Sequence, residues 1–530
     1  MIAAAPHCAT LGAWVAQLQY AQIPDDALRA ARYQLANIVA AVYASGRDAT
    51  IGQVLSGLPL GTGPSTILPT GVRTDPASAA YVNAAYSMAQ DFDDIIWMGH
   101  TSHSAVFAAL AVGEALQRDT RDVLTAIVAG NEVAARLGAS CFFGPLNGQM
   151  WTFIHLVGAA AATASLLRLD AIQTAHALAI ALAQPPFALQ PGFFTPTSKF
   201  LAAAIPTQIG VQAAYLARTG MTGALNILED PRGFWARFAF IPLPGMLAGL
   251  GELWLIQTLT IKTVPACHYF QTACEATAQL LAQRAVTLDD VVAIRAATTK
   301  LGFEVTNFAL ANTANLGPSE AREPLLTPVG AAFDLGVTLA IMLTAGGHGG
   351  DHADTAWMEA HRATLLAWYQ RITVVHDPAL TARVLDSARG VKAGRAALAE
   401  LTPSKLLHLV RSYRAEYRSG LFAVGELRAW AAALNDLRSR PVPTAQNGAL
   451  PLYFPNRVEI TYRDGTVLKA QLELPSGSMA APAMPALLRT KFVAEVGGKL
   501  GAERAANGFD AICAAEALSL ASLVAQLTPA

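Results

Sequence analysis

The chain reads as a mainly α protein with a smaller mixed α/β unit set into it. Three observations carry that fold class. Ala- and Leu-rich stretches with apolar residues at helical spacing fill the first half of the 530 residues. β-branched runs then appear beyond Lys262, and helical patterning returns from Pro485 to the end. At 53% hydrophobic and only 14% charged residues, the composition suits large buried helical layers and excludes a disordered chain.

Taken in order, Asp26–Tyr43, Ser104–Leu116 and Val123–Leu137 carry helical periodicity. Leu137 to Leu167 contains no formal charge, but Gly144-Pro145, Asn147, Gly148, Gln149 and His155 are poor lipid-facing groups. That stretch reads as a loop followed by a buried helix, in which Gly158 and Ala159–Ala162 permit a close crossing. Residues 291–298 and 371–376 read as strands. Val458–Tyr462 and Thr466–Leu474 flank Asp464-Gly465, the signature of a two-residue hairpin. The division is a helical domain over 1–261, an α/β domain over 262–474 with a helical insertion near 378–440, and helices over 475–530 that rejoin the first domain. The stretch from Asp377 to Arg440 holds 11 Lys/Arg against 6 Asp/Glu and reads as a solvated face rather than an anion-attracting rim. Residues 439–448 look like its exit linker.

A net charge of -1 gives no electrostatic case for nucleic acid or an anionic membrane. Cys8, Cys141, Cys267, Cys274 and Cys513 form no CxxC pair and no metal-ligand spacing. They read as buried, reduced thiols in a cytoplasmic protein. Met1 to Ala16 lacks the basic and long apolar regions of a secretory signal.

Chemistry concentrates in Asp91-Phe92-Asp93-Asp94, with His100 and His103 just behind. Carboxylates in apolar surroundings need a partner or a task, and imidazoles within their reach make acid/base chemistry possible. A capped helix end with solvated histidines is the structural alternative.

These residues open a series of landmarks. The series continues through Gly130-Asn131-Glu132 to Gly138, the Gly158 helix ending in Leu166-Leu167-Arg168-Leu169-Asp170, and Ser198-Lys199 ahead of Gly210. Gly220-Met221-Thr222-Gly223, Leu228-Glu229-Asp230, Lys262-Thr263-Val264-Pro265, Pro475-Ser476-Gly477 and Lys491-Phe492 follow. In that order and spacing the chain resembles the MmgE/PrpD family, everywhere except Asp377 to Arg440. The resemblance implies a large all-helical domain with an inserted α/β lid domain, a homodimer, no metal or organic cofactor, and a site between the domains for a carboxylate-bearing small molecule. It also implies dehydration, decarboxylation or epimerisation, in which a proton moves at a carbon beside a carboxylate or imine.

Carried over residue by residue, the resemblance makes Asp91 the active-site aspartate and Lys199 the active-site lysine. The family's histidine position counts to Thr101, between His100 and His103, so either can be the proton-transfer residue, with His103 preferred and His100 in support; His155 stands near another family histidine whose own position falls at Gln149. Asp94, Lys262, His268 and Gln271 complete the expected set as substrate-binding residues. Lys199, in the apolar run Phe200 to Ala204, needs an anion, and a substrate carboxylate would serve. Two departures stand out: Gln271 replaces a histidine nine residues after Lys262, and Val337 falls where cis-aconitate decarboxylase has a tyrosine. Gln271 can hydrogen-bond but cannot transfer a proton usefully. His348-Gly349-Gly350-Asp351-His352 with Asp354 reads as a solvated turn rather than a metal site. The leading expectation is therefore a cofactor-independent lyase or isomerase. A non-catalytic binding protein of the same fold is the alternative, and a DxDD terpene cyclase the remote one.

Overall fold

Helices dominate the first half of the chain because its apolar residues recur on faces that only neighbouring helices can cover. The computed structural model describes residues 5–145, 152–312, 324–391, 402–416 and 449–529, with scattered positions between 394 and 445. Helices α1 (His7–Gln17), α2 (Asp25–Ser45), α3 (Ala49–Ser56), α4 (Pro76–Met88), α5 (Ser102–Ala115), α6 (Thr120–Ser140), α7 (Ile154–Leu167), α8 (Ala171–Ala181) and α9 (Leu201–Arg218) build this part. Asp75, Asp119 and Asp170 start α4, α6 and α8 by accepting hydrogen bonds from first-turn N–H groups that the helix leaves open.

The apolar stretch from Leu137 resolves into the end of α6, a connection, and α7, whose residues are almost all buried. Residues 146–151, and with them Gln149, lie outside the described set. Two glycines let α7 touch its neighbours. A Cβ on Gly158 would lie 2.7 Å from Ser104 Oγ, and one on Gly210 only 2.3 Å from the Leu156 carbonyl oxygen. Together with the turn before it, α9 forms an apolar helix, Thr197–Arg218, long enough to cross a bilayer, yet 56% of its apolar window is buried inside the protein. A core helix has that property.

Short ladders pair β1 (Ser65–Thr66) with β2 (Arg73–Thr74) and β3 (Asp94–Ile95) with β4 (Thr260–Ile261). The main sheet has the order β6-β5-β7-β8, from β5 (Val291–Thr298), β6 (Ile372–His376), β7 (Asn456–Tyr462) and β8 (Val467–Leu472). Only the β5–β6 pair is parallel. Along β7, Val458, Ile460 and Tyr462 are buried while Arg457, Glu459 and Thr461 are half-buried, the alternation expected of a strand with one covered face. Helix Gln271–Gln283 packs on β7 and β8, and helix Met484–Leu500 returns to α2.

Four local expectations need correction. The β7–β8 loop has three residues, Arg463-Asp464-Gly465, because Tyr462 N donates to Thr466 O and Gly465 N to Tyr462 O. Gly465 supplies the left-handed third position at φ 84°. Cys513 is exposed, unlike the other four cysteines. In the basic stretch, Arg383 and Arg389 on helix Pro378–Arg389 both pair with the fully buried Asp386, so they are not a solvated face. His348 is buried rather than solvated, and its loop is tied down by Gln90, which donates to the carbonyls of Gly350 and Ala353.

Candidate active site

Backbone pairing assembles the site before any side chain is considered. The β3–β4 ladder lays the Asp91–Asp94 run beside Lys262, whose N–H donates to Asp93 O at 3.0 Å. Asp91 sits at φ 54°, a left-handed conformation that Asp tolerates better than most residues. A tight reversal closed by Ile96 and Gly99 brings the chain back, so that His100 and the first turn of α5, with His103, face the same carboxylates. Lys199 arrives from the turn ahead of α9.

Two lysines and two aspartates then interlock. Lys199 Nζ donates to Asp91 Oδ1 at 2.7 Å and to Met88 O at 2.8 Å. Lys262 Nζ bridges Asp91 Oδ2 at 2.6 Å and Asp93 Oδ1 at 2.5 Å. The other oxygen of Asp93 meets both histidines, at 2.7 Å from His100 Nδ1 and 3.0 Å from His103 Nε2. His100 Nδ1 lies also 2.8 Å from Asp94 O, so this nitrogen carries the proton and Nε2 is the ring's acceptor nitrogen. His103 is enclosed: its Nδ1 is 2.7 Å from Ser87 Oγ, and its ring stands edge-on to His155 at 5.6 Å.

These groups line a small cavity, walled by Asp91, Asp93, His100, His103 and His268 on one side. Phe193, Phe194, Val305 and Phe333 make the apolar side. Burial alone would raise both aspartates. The ammoniums of Lys199 and Lys262 override it at Asp91, which is held at about 2. Lys262 and His100 override it at Asp93, which lies well below the usual carboxylate range. Burial lowers Lys199 against the pull of Asp91, whereas Asp91 and Asp93 together lift Lys262 above its ordinary value despite burial. Burial, reinforced by Lys262, pushes His268 well below 6.5, so it stands neutral. With both aspartates ionised near neutral pH, neither can be the general acid that a DxDD cyclase needs.

Comparison with known proteins agrees with this architecture. Residues 9–241 match the MmgE/PrpD N-terminal domain and residues 264–398 the MmgE/PrpD C-terminal domain. The chain belongs to the MmgE/PrpD family. The second match runs on through helix Pro378–Arg389, so the stretch set apart by sequence begins inside the family's domain. The chain is 28% identical to cis-aconitate decarboxylase of Homo sapiens over 237 residues, 42% of this chain and 48% of that protein. It is 25% identical to cis-aconitate decarboxylase of Aspergillus terreus over 286 residues, 50% of this chain and 58% of that protein. The chain thus spans about half the length of the curated relatives it matches.

Of the residues singled out by sequence, Asp91, His100, His103, Lys199, Lys262 and His268 converge here. Asp94 does not: it turns away and accepts from Gln34 Nε2 and Asn37 Nδ2, both at 3.1 Å. Gln271 does not bind at the cavity either, because its amide holds the 263–266 loop. Its oxygen accepts from Thr263 N and Val264 N, and its nitrogen donates to Val264 O and Ala266 O. His155 lies behind His103, 3.0 Å from Ser104 Oγ. Val337 is buried in helix Leu335–Ala345 and does not reach the cavity wall. Lys199 pairs within the chain with Asp91. Asp93, given no role of its own in the sequence reading, is the hub of the cluster; its spacing of seven and ten residues from His100 and His103 is the signal that marks it. Lys491 was read only as a landmark. Buried, and lowered to about 7 by that burial, it donates to Asn37 Oδ1, Phe92 O and Lys262 O beneath the cluster. Among the described residues no three His, Cys, Asp or Glu converge as a metal site.

Proposed function

We propose that this protein is an acid/base lyase or isomerase, of dehydratase, decarboxylase or epimerase type, acting on a carboxylate-bearing small molecule with its own side chains. The carrying observation is the Asp93–His100 pair, with Nδ1–H held by a carboxylate that Lys262 keeps ionised and with Nε2 left for the cavity. In this reading His100 Nε2 takes a proton from the carbon beside the carboxylate, and Asp93 stabilises the imidazolium that forms. Neutral His268 donates a hydrogen bond to the oxygen on which charge develops. In dehydration that proton goes to the leaving hydroxyl, and in epimerisation it returns to the opposite face of the planar carbon; in decarboxylation there is no prior abstraction, and a protonated His100 gives its proton to the carbon that carbon dioxide leaves. His103 holds Asp93 and Ser87 in place, so the role that sequence favoured for it passes to His100. Membership of the family, and relatives named as decarboxylases, support the reaction class.

The test is proton NMR in heavy water with citrate-like, aconitate-like, hydroxy- and amino-dicarboxylates and with alkyl monocarboxylates. Deuterium uptake or conversion of one compound, abolished in His100→Ala, is expected. Ligand-dependent thermal stabilisation with no exchange or turnover for any compound would instead identify a binding protein of this fold.

A further inference from the structure

We propose that Lys491 is a positioning residue of the acid/base site, acting on Asp91, Asp93 and the His100–His103 segment through an amide-bridged ion pair with Asp94. The inference rests on the acid/base reading only for what the positioned groups do.

The bridge is Asn37. Lys491 stands on the returning helix Met484–Leu500, Asn37 on α2, and Asp94 at the start of β3. Lys491 Nζ donates to Asn37 Oδ1 at 2.7 Å, and Asn37 Nδ2 donates to Asp94 Oδ2 at 3.1 Å. Only one orientation of the amide fits, since an ammonium cannot accept from Nδ2 and an ionised carboxylate cannot donate to Oδ1. The other Asp94 oxygen accepts from Gln34 Nε2 at 3.1 Å. Donors on both oxygens suit the ionised carboxyl, although burial and the charge of Asp93 push it above its ordinary value.

The remaining bonds of Lys491 reach the reactive groups. Its ammonium also donates to Phe92 O at 2.6 Å and to Lys262 O at 2.9 Å. Those carbonyls lie on the two segments that set Asp93 beside Lys262, and two carbonyls cannot bond each other, so the donor between them fixes their separation. All three acceptors are neutral, and burial pulls Lys491 down to about 7 against Glu495, Asp93 and Asp94. A methionine would fill the same place without burying a charge, so stability alone gives no reason for an ammonium there.

Asp94 carries the arrangement on to the histidines. Its carbonyl lies 2.8 Å from His100 Nδ1. Beyond its side chain, Gln34 and Asn131 exchange two amide hydrogen bonds at 3.0 and 2.8 Å, and Thr101 Oγ1 donates to Asn131 Oδ1. Thr101 joins His100 to α5, which carries His103. Lys491, Asn37, Asp94, Gln34, Asn131 and Thr101 are all buried, so a lost member leaves its neighbours unpaired.

The test is a double-variant cycle of Lys491→Met and Asp94→Asn on the intact protein with isotope-labelled histidine. Nitrogen NMR reads the His100 ring without any substrate, and His100→Ala identifies its signals. Each folded single variant should move the His100 Nδ1 signal. Each should also lower exchange of whichever compound the parent accepts by about tenfold to a hundredfold, in kcat rather than KM. In urea unfolding the double variant should have a folding constant at least about tenfold above that expected from multiplying the two single losses. Asp94→Asn keeps the shape and an acceptor, and it carries the NMR test alone if Lys491→Met does not fold. Unmoved His100 signals, or single losses that simply multiply, would overturn the proposal. Moved signals with no exchange in any compound would leave the network standing and sink the acid/base reading. Exchange that both variants retain at the parent rate would do the reverse.

Discussion

Replacing Asp93 by asparagine removes the one carboxylate shared by Lys262, His100 and His103, at 2.5, 2.7 and 3.0 Å. The cluster of Lys199, Lys262, Asp91 and Asp93 is charge-balanced, two against two, and the variant leaves it at plus one. Removing one partner of a buried ion pair typically costs about 3–5 kcal/mol. Lys262 keeps Asp91 at 2.6 Å, so the low end, about 3 kcal/mol, is expected in urea unfolding. Activity should fall further than stability. An asparagine oxygen can still accept from His100 Nδ1, but it no longer offers charge to the imidazolium. Neutralising the carboxylate of a related Asp–His pair lowers kcat by about ten-thousandfold, or about 5 kcal/mol of barrier. Deuterium exchange and turnover, measured beside circular dichroism, read the two effects separately. A folded Asp93→Asn protein within tenfold of the parent rate, alongside a dead His100→Ala, would refute the idea that Asp93 works through His100.

The two histidines should separate in kind. His100→Ala should lose exchange by about a thousandfold or more with little change in melting temperature, whereas His103→Ala should lose stability as well, since His103 is buried against Ser87 and Asp93; equal melting temperatures for the two would contradict this. Stability should also fall in acid in two stages. His348 is neutral down to about 3 because burial disfavours its charge, so the unfolded chain takes up a proton near 6.5 that the folded one refuses; roughly 4–5 kcal/mol is lost between those values. Asp91, depressed to about 2, adds stability that is complete above about pH 4 and is lost as pH falls toward 2, worth roughly 2 kcal/mol. Chemical unfolding across pH should show a His348→Phe protein with a flatter profile from 6.5 downward, and an unchanged profile would exclude His348 as the source. Gly210→Ala should destabilise by about 3 kcal/mol, because its Cβ would meet the Leu156 carbonyl oxygen at 2.3 Å; a loss under about half a kcal/mol would mean that α7 and α9 separate readily.

Much of the fold was legible because it rests on local rules. Alternation at Val458, Ile460 and Tyr462 marks β7, and Gly158 within its alanines marks a close crossing of α7. The loop length between β7 and β8 was misread because Asp-Gly serves both two- and three-residue hairpins, and only the register decides between them. Within Asp91–Asp94 the sequence shows three like groups, whereas the structure turns them to different tasks. The left-handed Asp91 and the β3–β4 pairing direct Asp91 and Asp93 to the cavity and Asp94 to Gln34 and Asn37. Neither the backbone dihedral nor the pairing partner is written in a four-residue window. Lys199 and Lys262 posed the same difficulty. The need for an anion was evident, but the anion lies 108 and 171 residues away along the chain.

That internal pairing changes what the lysines mean for function. A lysine holding a substrate carboxylate must have a hydrogen-bonding direction open to the cavity, yet both here are fully buried with their carboxylate partners already in hand. Their effect is to keep Asp91 and Asp93 ionised across the physiological range. Carboxylates locked in one charge state cannot shuttle protons, so that task falls to the imidazoles on the cavity wall. Of these, His103 has both ring nitrogens engaged and His268 is held neutral, while His100 combines a fixed Nδ1–H with a second nitrogen on the cavity side.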